Sequence, residues 1–145
     1  MARETELEEL LKIELFSALE PEALRAVVFG AETRIFRAGD TLFRRGEAAD
    51  CGYLLTKGSI AIEAGQPGRP ADKILHPMAL LGEIALVAAT VRPVTALARE
   101  HSTVLRISRA LFHQALERHP LSAARVRQLF KDRLTGFFEE IKFEA

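Results

Sequence analysis

The sequence predicts a mainly β domain with flanking helices, and three observations carry that assignment. Apolar residues recur at helical spacing near both ends, the middle of the chain changes to a period of two, and glycines punctuate that middle part at short intervals. With 145 residues the chain is the size of one ordinary domain, able to bury roughly two thirds of its unfolded surface. Its apolar fraction of 48% and charged fraction of 28% belong to a globular chain rather than a disordered or membranous one.

At the N-terminal end, Leu7, Leu10 and Leu11 lie among glutamates at helical spacing, which predicts an amphipathic helix from about Glu4 to Lys12. Ile13, Leu15, Phe16 and Leu19 then lead to Pro21, a residue suited to the first position of a helix whose apolar face is Leu24, Val27 and Val28. Strands are predicted near Glu32 to Phe36, Thr41 to Arg44, Gly52 to Thr56 and Ser59 to Ala64, with Gly39, Gly46 and Gly58 in the turns. Residues 65–70 have loop composition, too short for a linker between domains, and Lys73 to Leu75 reads as a further strand. Val94 to Ala98 and Thr103 to Ser108 complete the strand set. Ser108 is placed to cap a helix from about Arg109 to Arg118, which His119-Pro120 breaks. A last helix from about Leu121 to Phe143 carries Val126, Phe130, Leu134, Phe137 and Ile141 as a continuous apolar stripe, widened by Leu129 and Phe138.

The stretch from Leu80 to Ala96 is the one passage that packing alone does not account for. Gly82 lets backbone approach a ligand, and Glu83-Ile84-Ala85-Leu86-Val87 has the composition of one short helical turn with amides free at its start, which attract an anion. Nine residues after Glu83, Arg92 offers a planar fork of donors for a phosphate, and the Glu83 carboxylate can accept hydrogen bonds from sugar hydroxyls. Taken singly, Glu83 could be a first-turn carboxylate and Arg92 an ordinary exposed arginine after a turn. Together they describe a sugar phosphate.

Gly82-Glu83-Ile84-Ala85-Leu86 followed by Arg92-Pro93-Val94-Thr95 resembles the signature of the cyclic nucleotide-binding domains, the family of the catabolite activator protein and of the regulatory subunit of the cyclic-AMP-dependent protein kinase. Leu15-Phe16-Ser17-Ala18-Leu19 and the passage from Ala38-Gly39-Asp40 through Phe43, Gly46, Tyr53 and Gly58 resemble that family as well. The resemblance implies an antiparallel double-stranded β-helix (jelly-roll) barrel with N-terminal helices and two C-terminal helices. It implies a single domain over 1–145, with N-terminal helices at about 4–29, the barrel at about 31–108 and C-terminal helices at about 109–143. It also implies a phosphate-binding cassette formed by Gly82, Glu83, Ile84, Ala85, Arg92 and Thr95. In it Glu83 holds the ribose 2′-hydroxyl, Arg92 the cyclic phosphate, and the amides around Ile84 and Ala85 the phosphate oxygens. One residue departs from the pattern: Pro93 stands where the family has a residue with an N–H, so one donor to the phosphate is missing.

The expected function is thus a regulatory sensor module for a cyclic nucleotide, with cyclic AMP as the first guess, signalling through the C-terminal helix. The alternative is a degenerate barrel that has lost the ligand and serves as a protein-interaction or dimerisation module. Either reading admits a homodimer or a partner protein on the helix at about 121–143. The 20 basic and 20 acidic side chains cancel, which argues against nucleic acid as a partner. The charged N-terminus and the shortness of every apolar run argue against a signal peptide or membrane span, and the lone Cys51 fits a reducing compartment, so a cytoplasmic protein is expected. No catalytic residues and no metal ligands are expected. His76, His101, His113 and His119 lack metal-ligand pairing, and no nucleophile stands beside a base, so the chain does not read as an enzyme. Arg92 reads as a loop residue whose removal would leave the fold intact.

Overall fold

In a computed structural model, residues 7–63 and 73–144 are described, the side chains of 136–144 excepted. The expectations for 4–6, for the loop at 65–70 and for Phe137, Phe138 and Ile141 in the stripe fall outside those residues. Two compact units form: Val27–His113, and the two chain ends, Met1–Ala26 with Gln114–Ala145.

Among the described residues the first unit contains ten strands: β1 (Glu32–Phe36), β2 (Thr41–Phe43), β3 (Ala48–Ala49), β4 (Cys51–Lys57), β5 (Ile60–Glu63), β6 (Lys73–Leu75), β7 (Ala79–Leu81), β8 (Thr90–Val91), β9 (Thr95–Ala98) and β10 (Ser102–Ser108). Every pairing is antiparallel. Two four-stranded sheets, in the orders β1-β10-β4-β7 and β2-β9-β5-β6, and a separate small β3-β8 pair make up the jelly-roll fold. Inward-facing residues of both sheets form one core: Leu42, Phe43, Cys51, Tyr53, Leu55, Ile60, Leu81, Ala96, Ala98 and Val104. The glycines of the three turns, Gly39, Gly46 and Gly58, have φ of 91°, 88° and 94°, the left-handed region that side chains resist.

Strand β4 lacks the alternation seen in β9 and in most of β10, since Cys51 to Leu55 are all buried. Its inner face is core, and on its outer face Leu86 lies so near Gly52 that an added Cβ would stand 3.2 Å from that side chain and from Leu81 O. A strand covered on both sides loses its period-two signature.

The unit made from the chain ends is helical. It contains a turn of helix at 7–10 (α1), α2 (Glu14–Ser17), the first part of α3 (Pro21–Gly30), the end of α5 (Arg109–Arg118) and α6 (Pro120–Glu144). Pro21 and Pro120 both stand at the first position of a helix, where a missing N–H costs no helical bond. Leu15, Phe16, Ala23, Leu24 and Val126 are buried. The buried Ser122 hydroxyl accepts the Glu20 N–H at 2.8 Å, and His119 Nδ1 lies 3.6 Å from Glu20 Oε2. The apolar stripe of α6 is buried at Val126, half-buried at Phe130 and exposed by Leu134. Among the described residues no helix is long and apolar enough to cross a membrane.

Ser108 caps α5, its Oγ accepting the Leu111 N–H at 3.0 Å. Ser108→Ala should cost about 1 kcal/mol in urea denaturation and Ser108→Gly only a few tenths, the order a cap produces and the reverse of helix propensity.

Candidate ligand-binding site

The stretch between β7 and β9 folds as a sharp turn, a four-residue helix α4 (Ile84–Val87) and the two-residue strand β8. Gly82 opens the turn with φ of 75°, a conformation that costs an L-residue about 1–2 kcal/mol. A Cβ there would also run into Nη1 of Arg92, so the position excludes side chains twice over. The turn is closed by hydrogen bonds from Ala85 N–H to Gly82 O and from Leu86 N–H to Glu83 O, both 3.1 Å, and from Ala88 N–H to Ile84 O, 3.0 Å. Glu83 occupies the cap position with helical backbone, yet its carboxylate makes no capping bond. Glu83 thus does stand at a helix start, as the plainer reading has it, and the same position puts it beside Gly82 and Ile84.

Arg92 stands on the loop between β8 and β9, as expected, but its side chain is not exposed: the residue is 5% exposed and reaches across to β4. Its backbone is fixed at both ends, the N–H donating to Glu47 O and the carbonyl accepting from Gly46 N–H, each at 2.8 Å. Nη2 donates to Cys51 O at 2.8 Å and to Cys51 Sγ at 3.2 Å. The guanidinium carbon lies 4.3 Å from the centre of the Phe43 ring and 5.7 Å from that of Tyr53, and the two rings stack at 6.0 Å. Nη1 is buried and bonded to nothing, the one such side-chain nitrogen or oxygen among the described residues. Truncation to alanine opens a hole beneath two aromatic rings and so costs stability as well as the charge.

Arg92 and Phe43 border a cavity of about 520 Å³, within the range of small-molecule sites. Gly82, Glu83, Ile84, Ala85 and Arg92 all border it, so five of the six residues the motif points to come together. Thr95 is not among the lining residues; its Oγ1 accepts the Arg45 N–H at 3.0 Å. Pro93 borders the cavity and has no N–H to offer. Apart from Thr90 the rest of the wall is apolar, with Phe43, Ile62, Leu75, Leu81 and Val91 supplied by strands far apart in sequence and Val94 by the bend before β9. Ile84 and Val91 border it while more than half exposed, at 56% and 57%. Among the described residues no group of three or more His, Cys, Asp or Glu is placed to hold a metal, His76 included.

Arg109 was not legible as a site-related residue. It lies outside the cavity wall, with Nε donating to Ala85 O at 2.8 Å. One signal was available: a cation at the first position of a helix opposes the helix dipole, which calls for another role.

Burial, first, and the hydrogen bond to Cys51, second, raise the pKa of Tyr53 above its ordinary 10.0, while the Arg92 cation pulls it down. A raised pKa favours the neutral phenol in the folded chain. The stability it contributes is complete below pH 10.0 and is lost as the pH rises from there through the folded value. The chain has one tyrosine and no tryptophan, so absorbance near 295 nm reports Tyr53 alone. Its ionisation midpoint should lie above 10.0 and move higher still in Arg92→Met, which removes the cation but keeps the bulk. A midpoint unmoved by that substitution would contradict the stacked placement of Arg92.

Comparison with known proteins agrees with this geometry. A family model described as cyclic nucleotide-binding domain matches residues 33–119, more than half of the chain. The structure of a cyclic nucleotide-binding-like protein from Brucella abortus is 41% identical, with 78% of this chain and 98% of that one covered and a TM-score of 0.71. The N-terminal domain of a transcriptional regulator from Streptomyces coelicolor is 25% identical, with 88% and 90% covered and a TM-score of 0.78. Among curated proteins, one named as a candidate potassium channel of Rhodopseudomonas palustris is 26% identical over 122 residues, 84% of this chain. The chain spans only 30% of that relative's length, and 8% of a second, a lysophospholipase of Aspergillus fumigatus. With the motif, the fold and the family match in agreement, the chain belongs to the cyclic nucleotide-binding domain family.

Proposed function

We propose that the cavity binds a cyclic nucleotide, cyclic AMP first, as the sensing step of a regulatory module. The observation that carries this is Arg92: a residue only 5% exposed at the cavity wall, with Nη1 buried and unsatisfied and no carboxylate paired with it among the described residues. A buried cation without an anion is costly, and a phosphate supplies both the charge and the acceptor that Nη1 lacks. Glu83 at the same wall offers an acceptor for a ribose hydroxyl, and the apolar strand residues offer a surface for the base. This is a binding module rather than an enzyme, and a cytoplasmic setting suits its lone buried thiol. Signalling runs through α6 by population shift, the ligand selecting the state of the chain that binds it better. The exposed end of the α6 stripe at Leu134 is the surface for a second copy or a partner protein.

A second reading, a barrel without its ligand, is favoured by two missing donors. Pro93 has no N–H, and the Ala85 N–H is already bonded to Gly82 O. The open cavity argues against it, because a relic pocket is expected to fill with side chains.

Calorimetric titration with cyclic AMP and cyclic GMP decides between the two readings. The parent should bind cyclic AMP weakly, and Pro93→Ser, which restores the N–H, should tighten binding about ten- to hundredfold. Arg92→Met should abolish binding while melting at the same temperature as the parent or higher, because an apolar chain of similar length removes an unsatisfied buried charge. Silence from both the parent and Pro93→Ser at millimolar ligand would favour the relic.

A further inference from the structure

We propose that Arg109 is a positioning residue for this site, a clamp that holds two wall residues from behind and ties their placement to the start of α5. The proposal rests on the reading of the cavity as a ligand site. Ala85 is the second residue of a four-residue helix. Its carbonyl would need the amide four residues on, but the chain has already turned extended at Ala88, with φ of −149° and ψ of 154°. Arg109 fills that gap: Nε donates to Ala85 O at 2.8 Å, while Nη2 donates to Ala49 O at 2.5 Å. The Arg109 N–H donates to Asp50 O at 2.8 Å, so side chain and backbone hold two consecutive residues, Ala49 and Asp50. Ala49 and Ala85 both line the cavity and Arg109 does not, so its action on a ligand is through them.

Two features point to positioning rather than general support. Only a guanidinium fork can reach two carbonyls in a fixed geometry; a lysine is a point charge that serves one at a time. Arg109 is also the first residue of α5, which continues without a break past His113, where the β-rich unit ends. A shift of the Ala85 carbonyl on ligand binding is therefore felt at the first turn of the helix that leads out of the ligand unit.

The test is residue-resolved hydrogen exchange on the ligand-free chain, comparing the parent with Arg109→Lys and Arg109→Gln. The Leu86 and Ala88 amides, which close the cavity turn, should exchange about tenfold or more faster in both variants, while the amides pairing β4 with β10 keep their parent rates. Parent-like rates at Leu86 and Ala88, or equal acceleration at every strand, would overturn the clamp. In a second arm, cyclic AMP at saturation should slow exchange at Leu111 and Phe112 in the parent and not in Arg109→Gln, whose affinity should also fall about tenfold. Retention of both effects in Arg109→Gln would overturn the coupling. If the parent itself binds no cyclic nucleotide, the ligand reading has failed, and the ligand-free exchange alone decides the clamp.

Discussion

The structure around the cavity depends on one buried cation. Arg92 lies in a wall that is otherwise almost wholly apolar, and several neighbouring residues can be understood as conditions for tolerating it. Gly82 has no side chain because Nη1 occupies the space a Cβ would take. Phe43 and Tyr53 present ring faces rather than aliphatic groups, and a ring face attracts a guanidinium where a methyl would only desolvate it. Cys51 contributes a carbonyl and a polarisable sulfur on the central strand. The Gly46-Glu47 turn holds the Arg92 backbone from both sides and so aims the side chain inward. Changing any of these alters where the charge sits before it alters anything else.

Much of the fold was legible because its elements follow local rules. The prolines at Pro21 and Pro120, the Ser108 cap and the turn glycines act within a few residues, and the elements they start or end lie where the pattern put them. What escaped was β3, β7 and β8, strands of two or three residues that carry no periodicity. They exist because partners from elsewhere in the chain pair with them, Ala48 with Val91 and Leu54 with Leu80. Ridding itself of alternation, β4 hid its extent in a similar way: cover on its outer face comes from Leu86, a contact between positions 52 and 86 that no local window contains.

The site divides along the same line. Gly82, Glu83 and Arg92 could be named because the chemistry of a sugar phosphate requires those residue types close together in sequence. The burial of Arg92 could not, since nothing near position 92 says that Cys51 and Phe43 will enclose it. The same holds for Ile62 and Leu75, ordinary strand residues until the fold brings them to one wall with Val94. Thr95 shows the converse risk of reading by motif: its hydroxyl is engaged with the Arg45 N–H in the neighbouring turn.

The state of Arg92 also bears on where binding energy at such a site comes from. An unsatisfied buried donor costs about 1–3 kcal/mol, more for a charged group, and the ligand-free chain carries that cost at Nη1. An anion that accepts from Nη1 relieves it, and the relief counts toward affinity just as a new donor would. The donor missing at Pro93 can therefore be offset in part by strain already present in the empty site, which is why the number of amides facing the ligand is a poor measure of its affinity. By linkage, the same term makes the ligand a stabiliser of the fold by about RT ln(1 + [L]/Kd). The cavity and the barrel core share Phe43 and Leu81, so relief at Arg92 is felt by the core that both sheets enclose.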